Sequence, residues 1–222
     1  MQWAPDGYAL GEIDLAATGL LDRLKAAFPK LASDGFRKGV LKKVLWTNKT
    51  DPVADWLIEL TKDPSKVVRI ESIGAFFTSA GFRADDSCKA AIPLMKDAEV
   101  EVRTSAATVI AGLVGCESPT YDPFLDGIEA TYKEGKLDGN IASKLSMFQK
   151  AKKPPTPTQV KRAEELIRTI LSDSKVPSGT RTTLMGAIAF DQKAFAKQVL
   201  PKLEADADAK VAAKAKELIA TL

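Results

Sequence analysis

The sequence contains no histidine, and only two cysteines, Cys88 and Cys116, in 222 residues. Without histidine it lacks the commonest general base, proton shuttle and transition-metal ligand. A histidine-assisted cysteine nucleophile is excluded as well. Two thiols make no disulfide framework for a chain of this length. No apolar run approaches the roughly 18 to 20 residues that span a bilayer. The opening stretch "MQWAPDGYALGEIDLAATGL" has no basic segment leading into an apolar one, so it does not read as a signal peptide. A cytoplasmic location is the expectation, with an exported mature form as the alternative. There is no Asn-Gly hairpin and no sustained period-2 alternation, which removes the β signals. Walker loops, dinucleotide glycine fingerprints and Gly-x-Ser-x-Gly elbows are also missing. A formal net charge of +3 favours solubility and by itself does not argue for nucleic acid.

What the chain does have is helical periodicity. "VADWLIELTKD" places Val53, Trp56, Leu57 and Leu60 on an i, i+3, i+4, i+7 stripe. Asp63-Pro64 follows, and then "SKVVRIESIGAFF" carries Val67, Ile70, Ile73, Phe76 and Phe77. Pro64 fits only the first turn of a helix, and Asp63 or Ser65 can cap it. The pattern is helix, tight turn, helix. It returns 97 − 63 = 34 positions later, with Asp97, Val102, Arg103 and Ala106 on Asp63, Val68, Arg69 and Ser72. It returns again at the end, with Leu203, Asp206 and Val211, but Ala212 in the arginine place. Two copies with only the apolar spacing fit between, "FLDGIEATYKEGKLDGNIASKLSMF" and "VKRAEELIRTILSDSKVPSGTRTTLMGAIAF". A hairpin in front, "LLDRLKAAFPKLASDGFRKGVLKKVLW", has Asp34-Gly35 as its expected turn. A period near 34 to 40 residues built of paired helices predicts an all-α, right-handed α-solenoid of about six antiparallel hairpins. Residues 18–222 form this domain, after an N-terminal extension over 1–17. The Pro-rich stretch 151–158 is a linker inside it, where Thr156 or Thr158 caps the next helix.

Leu57, Leu60, Asp63, Pro64, Val68 and Arg69, then Leu94, Asp97, Val102, Arg103 and Ala106, resemble HEAT repeats of the armadillo-like class. The resemblance implies that the aspartate closes each turn and that the arginine reaches toward the aspartate of a neighbouring repeat. It also implies a scaffold whose second helices line a binding face. One HEAT-repeat enzyme class, deoxyhypusine hydroxylase, holds di-iron through His-Glu motifs, and the missing histidine excludes it.

The outward positions of the second helices are the candidate binding residues: Lys38, Lys42, Glu71, Ser72, Ser105, Thr108 and Lys144. Mostly small and polar, they suit a shallow groove for a protein or peptide segment. No catalytic residue, metal site or cofactor is expected. The carboxylate pairs Asp85-Asp86, Glu99-Glu101 and Glu164-Glu165 read as helix-start acids, which the macrodipole favours. The alternatives are a DNA-binding protein resembling the HEAT-like alkylpurine DNA glycosylases, and a structural segment of a larger or exported protein. For the first, the basic clusters Arg37-Lys38, Lys42-Lys43 with Lys49, and Lys150-Lys152-Lys153 would supply the charge. Trp3, Trp46 and Trp56 would supply stacking. Helix geometry sets Cys88 and Cys116 on the order of 15 Å apart unless the chain bends back after Gly115. Two separate thiols are therefore expected, with a disulfide as the alternative.

Overall fold

The computed structural model describes residues 13–78, 83–112, 116–147 and 153–222. These residues form helices and no strand. The chain divides into two compact units, Met1–Val109 and Ile110–Leu222.

The first unit begins with α1 (Leu20–Ala27) and a 3-10 turn (Phe28–Lys30). Next comes α2 (Asp34–Val40), which runs on as a π-helical segment (Leu41–Leu45). Then follow α3 (Asp51–Leu60), α4 (Lys66–Thr78), α5 (Ala84–Leu94) and α6 (Val100–Ala111). α4 packs against α2, α3 and α5. Leu15 is buried, and the carbonyl of Ile13 accepts a hydrogen bond from Asn48 Nδ2, so the residues before α1 join this core.

The second unit comprises α7 (Ser118–Lys133), α8 (Gly139–Met147), α9 (Pro157–Ser172) and α10 (Ser178–Asp191). α11 (Lys193–Val199), a 3-10 turn (Leu200–Leu203) and α12 (Ala209–Ile219) complete it. α8, α10 and α12 lie side by side with α10 in the middle, and α7 packs on α9. Thr156 caps α9 in a reciprocal capping box with Gln159, and Pro157 occupies the first turn, where its missing N–H costs nothing. Among the described residues no helix is long and apolar enough to cross a membrane.

One turn recurs in both units. Asp63 Oδ1 accepts the Ser65 N–H at 2.8 Å, Asp97 Oδ1 that of Glu99 at 2.9 Å, Asp173 Oδ1 that of Lys175 at 2.9 Å, and Asp206 Oδ1 that of Asp208 at 2.9 Å. A short carboxylate that reaches its own backbone two residues on mimics a turn and releases the chain from the preceding helix. The expected turn at Asp34-Gly35 lies slightly earlier. Ser33 caps α2 through the Phe36 N–H, which puts Asp34 and Gly35 inside the first helical turn. Phe36, expected on the apolar stripe with Val40, Leu41, Val44 and Leu45, is 59% exposed, while the other four are buried.

Val68 and Val102 occupy equivalent places at the starts of α4 and α6, and both are fully buried. Val→Ala at either removes two methyls from a filled core and is expected to cost about 1 to 2.5 kcal/mol in chemical denaturation. Thr104→Ala, at a half-exposed residue, should stay within about 0.5 kcal/mol. Equal small effects at all three would contradict the register.

Candidate functional site

Of the seven residues expected on the binding face, the structure brings three together. Glu71 of α4 does not point outward: its side chain is only 6% exposed. Its Oε1 lies 2.9 Å from Lys38 Nζ of α2, and its Oε2 lies 3.6 Å from Lys42 Nζ on the π-helical segment. A carboxylate this buried is tolerated because two ammonium groups compensate for its lost hydration. The two lysines remain 47% and 43% exposed. Trp46 completes the cluster: its Nε1–H donates to the Glu71 carbonyl at 3.0 Å, and Lys42 Nζ stands 5.3 Å from the ring centroid. Gly74 permits this, since a Cβ there would come within 3.2 Å of the indole. The π turn, in which the Trp46 N–H reaches the Leu41 carbonyl at 2.9 Å, sets the angle at which the indole leaves the helix.

The other four are placed differently. Ser72 is fully buried and gives its hydroxyl proton to the Val68 carbonyl, so it belongs to the interior of α4 and is not a groove residue. Its small hydroxyl can satisfy the i−4 carbonyl, which a larger polar group could not do in a closed core. Ser105 and Thr108 are half-exposed on α6, and Thr108 bonds the Thr104 carbonyl. Lys144 is half-buried on α8 with its Nζ 3.8 Å from Met147 Sδ, and burial pushes its pKa down.

In the second unit α8 and α10 run the same way. A Cβ on Gly139 would meet Thr183, and Ser146 donates to Asp191 at 2.8 Å one end further on. α10 turns Thr182, Thr183, Gly186 and Ala187 away from its buried side. Between α10 and α12 lies a shallow, solvent-open cleft lined by Thr182, Thr183, Lys210, Ala213, Lys214 and Glu217. Sequence reasoning missed these residues, although the i, i+4 spacing of Lys210 and Lys214 opposite buried Val211 and Ala215 is a legible signal.

Trp46 and Trp56 do not form a stacking platform. Trp56 is 5% exposed and packs edge-on against Phe28 at 5.4 Å, and Trp46 is held by α4. Trp3, Lys150 and Lys152 lie outside the described residues, while Lys153 pairs with Glu117 at 2.6 Å. The cysteines also depart from expectation. Cys88 and Cys116 are both buried and both disulfide-bonded, so neither is a free thiol. Among the described residues no group of three or more His, Cys, Asp or Glu side chains could hold a metal ion.

What holds these helices in register is a clasp repeated from turn to turn. Arg69 donates from Nη1 to the Asp63 and Pro64 carbonyls of its own turn, at 2.8 and 2.9 Å. The same guanidinium grips the next aspartate in the series, Asp97, through Nε at 2.8 Å and Nη2 at 2.9 Å. Arg37 reaches the Pro29 carbonyl and lies 3.9 Å from Asp63. Arg181 donates to the Leu171 carbonyl at 2.8 Å and holds Asp206 through both terminal nitrogens. A planar fork that matches a carboxylate bidentately is suited to this, and a lysine is not. The described residues form an all-helical repeat of paired helices closed by these turns. No family model matches the chain, and no curated protein does. Among solved structures, the designed armadillo repeat protein YIII(Dq)4CqI is 16% identical, covering 90% of this chain and 99% of its own, at a TM-score of 0.44. The designed armadillo repeat protein YIII(Dq.V1)4CPAF, in complex with the peptide (KR)4, is 15% identical over 99% of both chains, at 0.42. A further engineered protein is 16% identical over 97% of this chain and 89% of its own, at 0.36.

Proposed function

We propose that this protein is a non-enzymatic scaffold that binds a segment of another protein along the second helices of its hairpins. The observation that carries the reading is the row α8, α10, α12, with small outward residues on α10 and the cleft beside α12. Such a surface admits an extended chain close to the helices and offers hydroxyls and ammonium groups to its backbone and side chains. The test is selection of peptides from a displayed random library with the purified chain as bait. Enriched segments should lose about tenfold in affinity on Ala213→Trp, which fills the cleft. Enrichment no greater than on a helical bundle of similar charge would overturn the reading. So would a turnover by the purified chain that one carboxylate substitution abolishes.

A further inference from the structure

Two stretches of the first unit carry opposite charge. α3 carries Asp51, Asp55 and Glu59 and no base, whereas the stretch Asp34–Leu45 carries Arg37, Lys38, Lys42 and Lys43 against Asp34. The one acidic residue in the middle of α4, Glu71, is sunk beneath Lys38 and Lys42. Two ammonium groups therefore share one buried carboxylate, and the excess positive charge faces solvent. Lys38 and Lys42 stand about one helical turn apart, roughly 5 to 6 Å at Cβ, a span that one carboxylate can bridge. Glu71 already bridges them from the inner side.

We infer that the Lys38–Lys42 pair, seated on Glu71 and flanked by Trp46, is a carboxylate-recognition site, and that the segment this protein binds is acidic. The inference rests on the scaffold reading above and adds the chemistry of the partner. A partner aspartate or glutamate bridges the two ammonium groups from the solvent side, as Glu71 does from within. Both lysines are held in place by Glu71 before the partner arrives, so fewer rotamers are lost on binding than at two unrestrained surface lysines. The indole of Trp46, fixed by its own hydrogen bond, offers an apolar wall to the methylenes of the bound side chain. The other titratable groups of α2, Asp34 and Arg37, lie together at its start, 3.9 Å apart and next to Asp63.

The experiment uses the full chain and fluorescein-labelled octaglutamate, with octalysine, a Gly-Ser octamer and a short DNA duplex as comparisons. Octaglutamate should bind, weaken steeply with added salt, and shift the Trp46 indole N–H resonance. Changing Lys38→Gln and Lys42→Gln alone would leave Glu71 buried without a counter-charge, so the variant is Lys38→Gln, Lys42→Gln, Glu71→Gln. It keeps the shape of Glu71, shortens the two lysines and removes all three charges, and its folding is verified by circular dichroism. A loss of about tenfold in octaglutamate affinity is expected. Undiminished binding by the folded variant, an unmoved Trp46 resonance in the parent chain, or DNA or a neutral peptide binding as tightly would overturn the inference. Library-selected segments that carry no acid and are lost on Ala213→Trp would overturn this site and leave the scaffold reading standing. If the library yields no segment, both fall.

Discussion

Arg181→Met is expected to lower the stability of the chain by about 3 to 5 kcal/mol in chemical denaturation. Arg181 is 2% exposed and is, among the described residues, the largest side chain buried to that degree. Removing it leaves the Asp206 carboxylate, whose side chain is 15% exposed, without its counter-charge, and leaves the Leu171 carbonyl without this donor. Losing one partner of a buried pair costs more than the pair contributes, because the survivor keeps its desolvation penalty. Arg181→Met combined with Asp206→Leu should therefore recover part of the loss. The same pair gives a pH signature. Arg181 first, and then the Asp208 N–H, hold Asp206 below the ordinary carboxylate range. A depressed folded-state pKa means that this stabilisation is complete above the unfolded value, about 3.9, and is lost as pH falls through the folded one. The acid limb of the stability profile should flatten in Arg181→Met. A variant that melts with the parent chain at every pH would remove the clasp from the account of this fold.

Reduction is the second large effect. Cys88 and Cys116 are disulfide-bonded and no more than 2% exposed. Alkylation of the folded or denatured chain without reductant should add no mass. Denaturation with a thiol reductant should expose two alkylatable groups. The reduced chain should be less stable by about 2 to 4 kcal/mol, the usual contribution of a cross-link that constrains the unfolded state. Alkylation without reductant, or coincident melting curves of the two forms, would contradict the bonding. A cross-link of this kind persists in oxidising surroundings, where glutathione does not reverse it.

Much of the fold was legible because the repeat writes the same physics in the same letters. Asp63, Val68 and Arg69 stand to one another as Asp97, Val102 and Arg103 do, and the turn carboxylate, the core valine and the clasping arginine all follow from that spacing. The next clasp was hidden by two extra residues. Asp173 precedes Arg181 by eight positions, whereas Asp63 precedes Arg69 by six, so "SDSKVPSGTR" reads as a copy with apolar spacing alone although it makes the same turn. Glu71 was misplaced for another reason. A single-helix stripe shows which residues share a face, but not that two lysines from α2 will arrive to compensate for a buried charge. The π turn at Leu41–Leu45 has no composition signal, and with it the position of Trp46 was out of reach. The disulfide was not expected because helix rise alone sets Cys88 and Cys116 too far apart to bond.

The clasp also determines how the molecule could have grown. Arg69 and Arg181 each read a backbone carbonyl at their own turn and a carboxylate at the next, whether the turn aspartate stands six residues before the arginine, as Asp63 does, or eight, as Asp173 does. A tandem copy of residues 63–96 placed after Lys96 would give Arg69 a new Asp63 to hold, and the copied Arg69 would meet the original Asp97. Gene duplication at these turns therefore keeps every clasp intact, and an engineer could lengthen the array by the same cut.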